Sequence, residues 1–154
     1  MKKYLCFFIC FLAALPVFLH AQTAQKIEDL LNSNALSYEQ AAWLVLEAAE
    51  ISGSRGISSQ ADAFSYAEQQ QWLPKNVRSY DMARLDGVSL LIMQAFDIKG
   101  GLLYRFTKSP HYAYRELVYW NIIFGRIDPG MAVSGYEMLY TVNRVLSYKE
   151  DNLL

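Results

Sequence analysis

His111 to Leu146 reads HYAYRELVYWNIIFGRIDPGMAVSGYEMLYTVNRVL, and the way this stretch divides decides the fold. Ser109-Pro110, just ahead of it, opens a helix. Proline suits the first helical position, where its missing N–H would have had no partner. Ala113, Leu117, Trp120 and Phe124 then return every three or four residues, which sets them on one face. Gly125 to Gly130 (GRIDPG) is dense in turn formers and stops the run. Ser134 opens a second helix, and Glu137 completes a capping box, each side chain accepting from the other residue's free N–H. Met138, Val142, Val145 and Leu146 form its apolar side. Two amphipathic helices joined by a turn, without period-2 alternation, make a helix pair rather than a hairpin.

The same grammar extends towards the N-terminus. Ser37 and Gln40 form a capping box ahead of Ala41, Leu44, Val45, Ala48 and Ala49, an i, i+3, i+4, i+7, i+8 stripe. Residues 52–60 (SGSRGISSQ) read as a loop, and residues 61–73 as a helix ended by Pro74. Ser79, with Asp81 suited to a positive first turn, is expected to open a helix carrying Val88, Leu91, Ile92, Ala95 and Phe96. Gly87 sits inside that helix at about 1 kcal/mol relative to alanine, so a close crossing is expected there. Gly100-Gly101 stops the run, and Leu102 to Thr107 suits either a short extended piece or a turn of helix. The chain after Ser147 is expected to fray.

A spacing recurs. Tyr66, Glu68 and Trp72 form Y-x-E-x3-W, and Tyr114, Glu116 and Trp120 repeat it 48 residues on. Each is followed by a helix start, at Ser79 and at Ser134, and Ser37 opens a third helix of that type. Recurrence at this period points to stacked helical units, each too small to bury its apolar face alone. Trp72 and Trp120 are expected in the core.

The first 21 residues have another character. Lys2 and Lys3 precede an uncharged apolar run from Tyr4 to Phe18, and Ala21 follows. That is the layout of a cleavable signal peptide. A retained anchor is the alternative, although roughly 20 apolar residues are needed to span a bilayer. Cleavage leaves about 133 residues, enough for a core without staples. It also removes Cys6 and Cys10, the only cysteines, and with them disulfide, thiolate and cysteine-metal chemistry. Twelve basic side chains (14 less Lys2 and Lys3) then face 15 acidic ones, an excess of the wrong sign for a nucleic-acid partner.

Ala113, Trp120, Ile122-Ile123-x-Gly125, Asp128-Pro129 and the start Ser134 to Glu137 together resemble the bacterial surface-layer homology module. Ala61 to Phe96 resembles a second copy, with Trp72-Leu73-Pro74 at its turn, and Ser37 to Ile51 the closing helix of an incomplete first one. The resemblance implies helical modules packed in a bundle that hold a protein to cell-wall polysaccharide. The family's binding signature is a Thr-Arg-Ala-Glu-like helix start whose arginine grips an anionic sugar group. Ser37-Tyr38-Glu39-Gln40, Ser79-Tyr80-Asp81-Met82 and Ser134-Gly135-Tyr136-Glu137 supply no arginine there; Arg84 comes a turn later.

Catalytic patterns are thin. His111 is the one histidine outside the leader and stands at a helix start. Glu68 and Glu116 are the carboxylates that a glycosidase-like pair would use, but solvent-facing roles suit them as well. One histidine and scattered acids give no metal-ligand spacing. The binding candidates are Tyr112, Arg115 and Tyr119, off the apolar stripe of their helix, where rings with a polar edge can stack on sugars or anchor a partner.

The expectation is a mainly α chain: signal peptide 1–21, lead-in segment 22–36 with a short helix around Ile27, Leu30 and Leu31, a bundle of repeated helix pairs over 37–148, and a flexible tail 149–154. It is expected to be exported to the periplasm or cell surface, to need no cofactor and not to be an enzyme. Its partner is cell-wall polysaccharide or an envelope protein. The alternative role is a periplasmic protein–protein scaffold or assembly factor without glycan binding.

Overall fold

The structure is a computed structural model that describes residues 27–125 and 128–152. The signal-peptide reading of residues 1–21 lies outside the described residues. The described chain is mainly α, without a named strand. Its helices are α1 (residues 27–31), α2 (Tyr38–Ala48), α3 (Ile51–Arg55), α4 (Gln60–Gln69), α5 (Leu85–Ala95), α6 (Leu102–Thr107), α7 (Pro110–Tyr119) and α8 (Gly135–Asn152).

Three helices, α2, α5 and α8, enter the core side by side. Two residues before each start stand Leu36, Ala83 and Val133, all buried. The Leu36 N–H donates to the Val133 carbonyl at 2.8 Å, the Val133 N–H to Ala83 at 2.9 Å, and the Ala83 N–H to Leu36 at 2.7 Å. The three peptides thus close a ring in which each gives one hydrogen bond and takes one. Buried backbone groups must find partners, and here they find one another.

The free N–H groups at the helix starts are met in the same way. Tyr38 and Glu39 donate to the carbonyls of Asp81 and Ser79, and Leu85 and Asp86 to those of Met131 and Pro129. Gly135 donates to Ser33. The third N–H of each start goes to a side chain: Gln40 to Ser37 Oγ, Gly87 to Asp86 Oδ1, Glu137 to Ser134 Oγ. Both capping boxes expected from the sequence are formed, at Ser37–Gln40 and Ser134–Glu137.

The other helix ends are stopped by left-handed residues. Gln71 (φ 60°), Asp97 (φ 50°) and Asn121 (φ 55°) follow α4, α5 and α7. After each, an apolar residue folds back: the Trp72 N–H reaches Ala67, Ile98 reaches Met93 and Ile122 reaches Leu117, all at 2.9 Å. This is the Schellman closure of a helix, with its apolar residue just past the turn.

Several sequence expectations need correction. Ser79 does not open α5. Residues 78–81 form a turn, with Asp81 Oδ2 accepting from the Arg78 N–H at 2.9 Å, and the Ser79 and Asp81 carbonyls serve α2. Helix α5 begins six residues later, after Arg84. Helix α3, from Ile51 to Arg55, takes up the first part of the stretch expected as a loop; of the two readings open for Leu102 to Thr107, the structure has the helical one. Helix α8 continues to Asn152, past the expected fraying point. Phe124 is half exposed rather than inward, because Ile122 and Ile123 fill the core beyond Asn121. Neither tryptophan is fully buried. Trp72 follows its helix and meets Tyr66 edge-on at 5.6 Å, whereas Trp120 caps α7 and stacks on Tyr148 at 5.3 Å. The two therefore sit in different surroundings, and a 48-residue shift does not superimpose the helix ends.

Candidate functional site

Tyr112, Arg115 and Tyr119 share one side of α7, as i, i+3, i+7 spacing requires. Tyr112 is half buried, its ring edge-on to His111 at 5.5 Å. Arg115 is exposed and Tyr119 is 78% exposed. Tyr119 stands next to the place where α7 ends against α8.

There the structure assembles a second group that sequence reasoning missed. The Arg144 guanidinium of α8 donates to the Asn121 carbonyl. Its Cζ lies 3.8 Å over the Phe124 ring and 5.8 Å from that of Tyr140. Trp120 and Tyr148 stack beside it, with an interplanar angle of 22°. An arginine over an exposed ring is worth about 0.5–1 kcal/mol, so its place here is set as much by the carbonyl it meets. Tyr140, Arg144 and Tyr148 are spaced i, i+4, i+8, the signal that could have revealed this side of α8. Behind Phe124 and Tyr140 lies a small apolar cavity of about 150 Å³.

A larger groove, about 950 Å³, opens between α2, α8 and the start of α4. Trp43, Leu44, Met138, Leu139 and Val142 line it, with Glu39 and Glu47 on its edge. Glu68 and Glu116, the carboxylates singled out from sequence, are placed differently. Glu68 is exposed and borders a groove with Pro74 and Pro110, whereas Glu116 leans against Gly100 and Gly101.

Perturbed ionisation belongs to structural groups. Burial pushes the Tyr104 phenol up to about 12, against a partly offsetting hydrogen bond from Gln94 Nε2 at 2.6 Å. Tyr38 is raised for the same first reason. Asp62 is lowered by the Ser59 hydroxyl at the start of α4. Among the described residues there is no group of three or more His, Cys, Asp or Glu placed to hold a metal ion, and no helix is long and apolar enough to cross a membrane. Comparison with known proteins finds no matching family model, no matching curated protein and no matching solved structure.

Proposed function

We propose that the chain is a non-catalytic module of the cell envelope, built from three copies of one helical unit as surface-layer homology modules are, and that it binds cell-wall glycan. The observation that carries the reading is the closed ring of Leu36, Ala83 and Val133. Around it, α4 packs on α2 and α7 on α5. A shift of 50 residues maps Ser59 onto Ser109, both at the N-cap position although only Ser59 caps with its side chain, Gln71 onto Asn121, both left-handed, and Ala83 onto Val133, both in the ring. The third unit joins the two ends of the described chain. Ser33, just after α1, accepts from the start of α8 as Asp81 does from α2 and Met131 from α5.

Glycan would lie along the aromatic, cationic side formed by Tyr112, Arg115 and Tyr119, continued by Phe124, Tyr140 and Arg144. Rings offer flat stacking faces and the arginines pair with anionic sugar substituents. Arg84, the arginine nearest a helix start, points to Asp86 at 3.1 Å.

The test is retention of the exported chain on isolated cell wall, wild type against Arg115→Ala and Arg144→Gln. Retention that falls at least tenfold in either variant supports the assigned surface, and absence of retention in wild type removes the glycan reading. The alternative, a protein-interaction scaffold, is favoured by the exposed apolar side of α6. It would be recognised by a partner that stays bound after the glycan is digested.

A further inference from the structure

Helix α6 is a short apolar ridge with basic residues at its C-terminal end. Leu102, Leu103 and Phe106 are 69%, 59% and 85% exposed. On α6 and its C-cap, Arg105 and Lys108 are exposed basic residues and there is no acidic one, although Glu116 of α7 leans against Gly101 at the other end of the helix. The ridge is held in place from below: Tyr104 is buried and takes the Gln94 amide, and α6 packs on α7. Three neighbouring large apolar side chains exposed on one short helix are the mark of an interaction surface.

The groove between α2, α8 and the start of α4 has the opposite character. Its walls are mostly apolar, with Ser58, Ser59 and Gln60 at one end; Glu39 and Glu47 stand on it, and among the described residues no lysine or arginine lines it. Its volume of about 950 Å³ can receive several large side chains. The ridge belongs to the α5–α7 unit, whereas the groove is built by the other two. Since α6 is pinned to its own unit, its ridge can reach such a groove only on another molecule.

We propose that α6 of one copy docks into the α2–α8 groove of a second copy, with Arg105 and Lys108 facing Glu39 and Glu47. The apolar contact supplies the association, and the charges fix its direction. The two surfaces differ, so the contact is head-to-tail and leaves one ridge and one groove free at the ends of any open assembly. A series of copies, rather than a closed two-fold dimer, is the result. This goes beyond the glycan reading and stands whether or not the chain binds glycan.

Sedimentation velocity tests it, using the chain expressed from Met1 so that any processing is the cell's own. Wild type is expected to grow in mass past the dimer as concentration rises. Phe106→Asp spoils the ridge and Leu139→Asp spoils the groove; both residues are exposed, and circular dichroism checks that each variant folds. Each variant alone is expected to be monomeric. Mixed in equal amounts, they are expected to form a one-to-one dimer and stop, because only one intact ridge–groove pair remains. Glu47→Lys should weaken wild-type assembly at least tenfold. A wild type that stays monomeric or halts at a dimer, a variant that assembles like wild type, or a mixture that stays monomeric would each overturn the proposal.

Discussion

Substituting Gly135 by alanine tests how α1 packs against the start of α8. A Cβ on Gly135 would stand 1.7 Å from the Leu30 carbonyl oxygen, 2.6 Å from its carbon and 2.9 Å from the Leu31 Cα. All three are backbone atoms, so no rotamer change relieves the clash; α1 or the start of α8 must move. Moving α1 exposes Leu30, now 4% exposed, at about 1.5–3 kcal/mol. It also weakens the 3.0 Å bond from the Gly135 N–H to Ser33, worth about 1 kcal/mol. Replacing a helical glycine returns less than about 1 kcal/mol. The net loss is then about 2–3 kcal/mol. Urea unfolding followed by far-ultraviolet circular dichroism should show it, with a thermal midpoint lower by roughly 10 °C. Gly53→Ala is the control: its Cβ would meet nothing within 4 Å, and a gain of about 0.5–1 kcal/mol is expected. Gly135→Ala matching wild type in stability would refute the packing of α1 on α8.

Three further outcomes follow from the same contacts. Gly87→Ala should cost about 1–3 kcal/mol, because its Cβ falls 2.9 Å from Pro74 Cγ and against the Tyr38 hydroxyl; Tyr38→Phe in the same chain should recover part of the loss in urea midpoints. Gln71→Gly and Glu50→Gly, at exposed left-handed positions, should each stabilise by up to about 1 kcal/mol, and Asn121→Gly by less, since asparagine tolerates that conformation; thermal midpoints decide. Tyr104 keeps its proton in the fold up to about 12, whereas the unfolded chain gives it up near 10, so between those values the unfolded state holds fewer protons. Stability from this group is complete below pH 10 and declines towards pH 12 by about 3 kcal/mol at most. Tyr104→Phe should flatten that alkaline decline in urea midpoints, leaving the smaller share due to Tyr38.

The helical character was legible in the sequence because the stripes at Ala41–Val45, Val88–Phe96 and Met138–Val145 are carried by local spacing alone. So were the boxes at Ser37 and Ser134, whose partners lie three residues away. The helix ends were less legible, for a specific reason. Glycine and proline suggest stops at Gly53, Pro74 and Gly100, but the chain turns earlier, at Glu50, Gln71 and Asp97, in a conformation usually left to glycine. Each of those residues is polar and is followed at once by an apolar one: Ile51, Trp72 and Ile98. At Gln71 and Asp97 that pairing is the signal the Schellman closure leaves when glycine is absent. The spacing of 48 residues misled for a related reason. It aligned Trp72 with Trp120, whereas the left-handed turns at Gln71 and Asn121 align at 50. Of the proposed binding surface, Tyr112, Arg115 and Tyr119 could be read from one helix. The Phe124–Arg144 contact spans two, through a turn whose course no local pattern gives.

The ring also limits where a ligand can act. The start of a lone helix offers free N–H groups and a positive end, and anions are drawn to it. In α2 and α5 the first three N–H groups are already taken, two by carbonyls of the next loop and one by a side chain. An anionic sugar arriving there would have to displace three hydrogen bonds before making any. The centre of the bundle is thereby committed to holding the units together. On the proposed reading, recognition falls to side chains that point away from it: the arginines and rings along α7 and α8, and the ridge of α6. On that division of labour, variants at Leu36, Ala83 or Val133 should change stability and binding together, whereas variants at Arg115 or Phe106 should change binding alone.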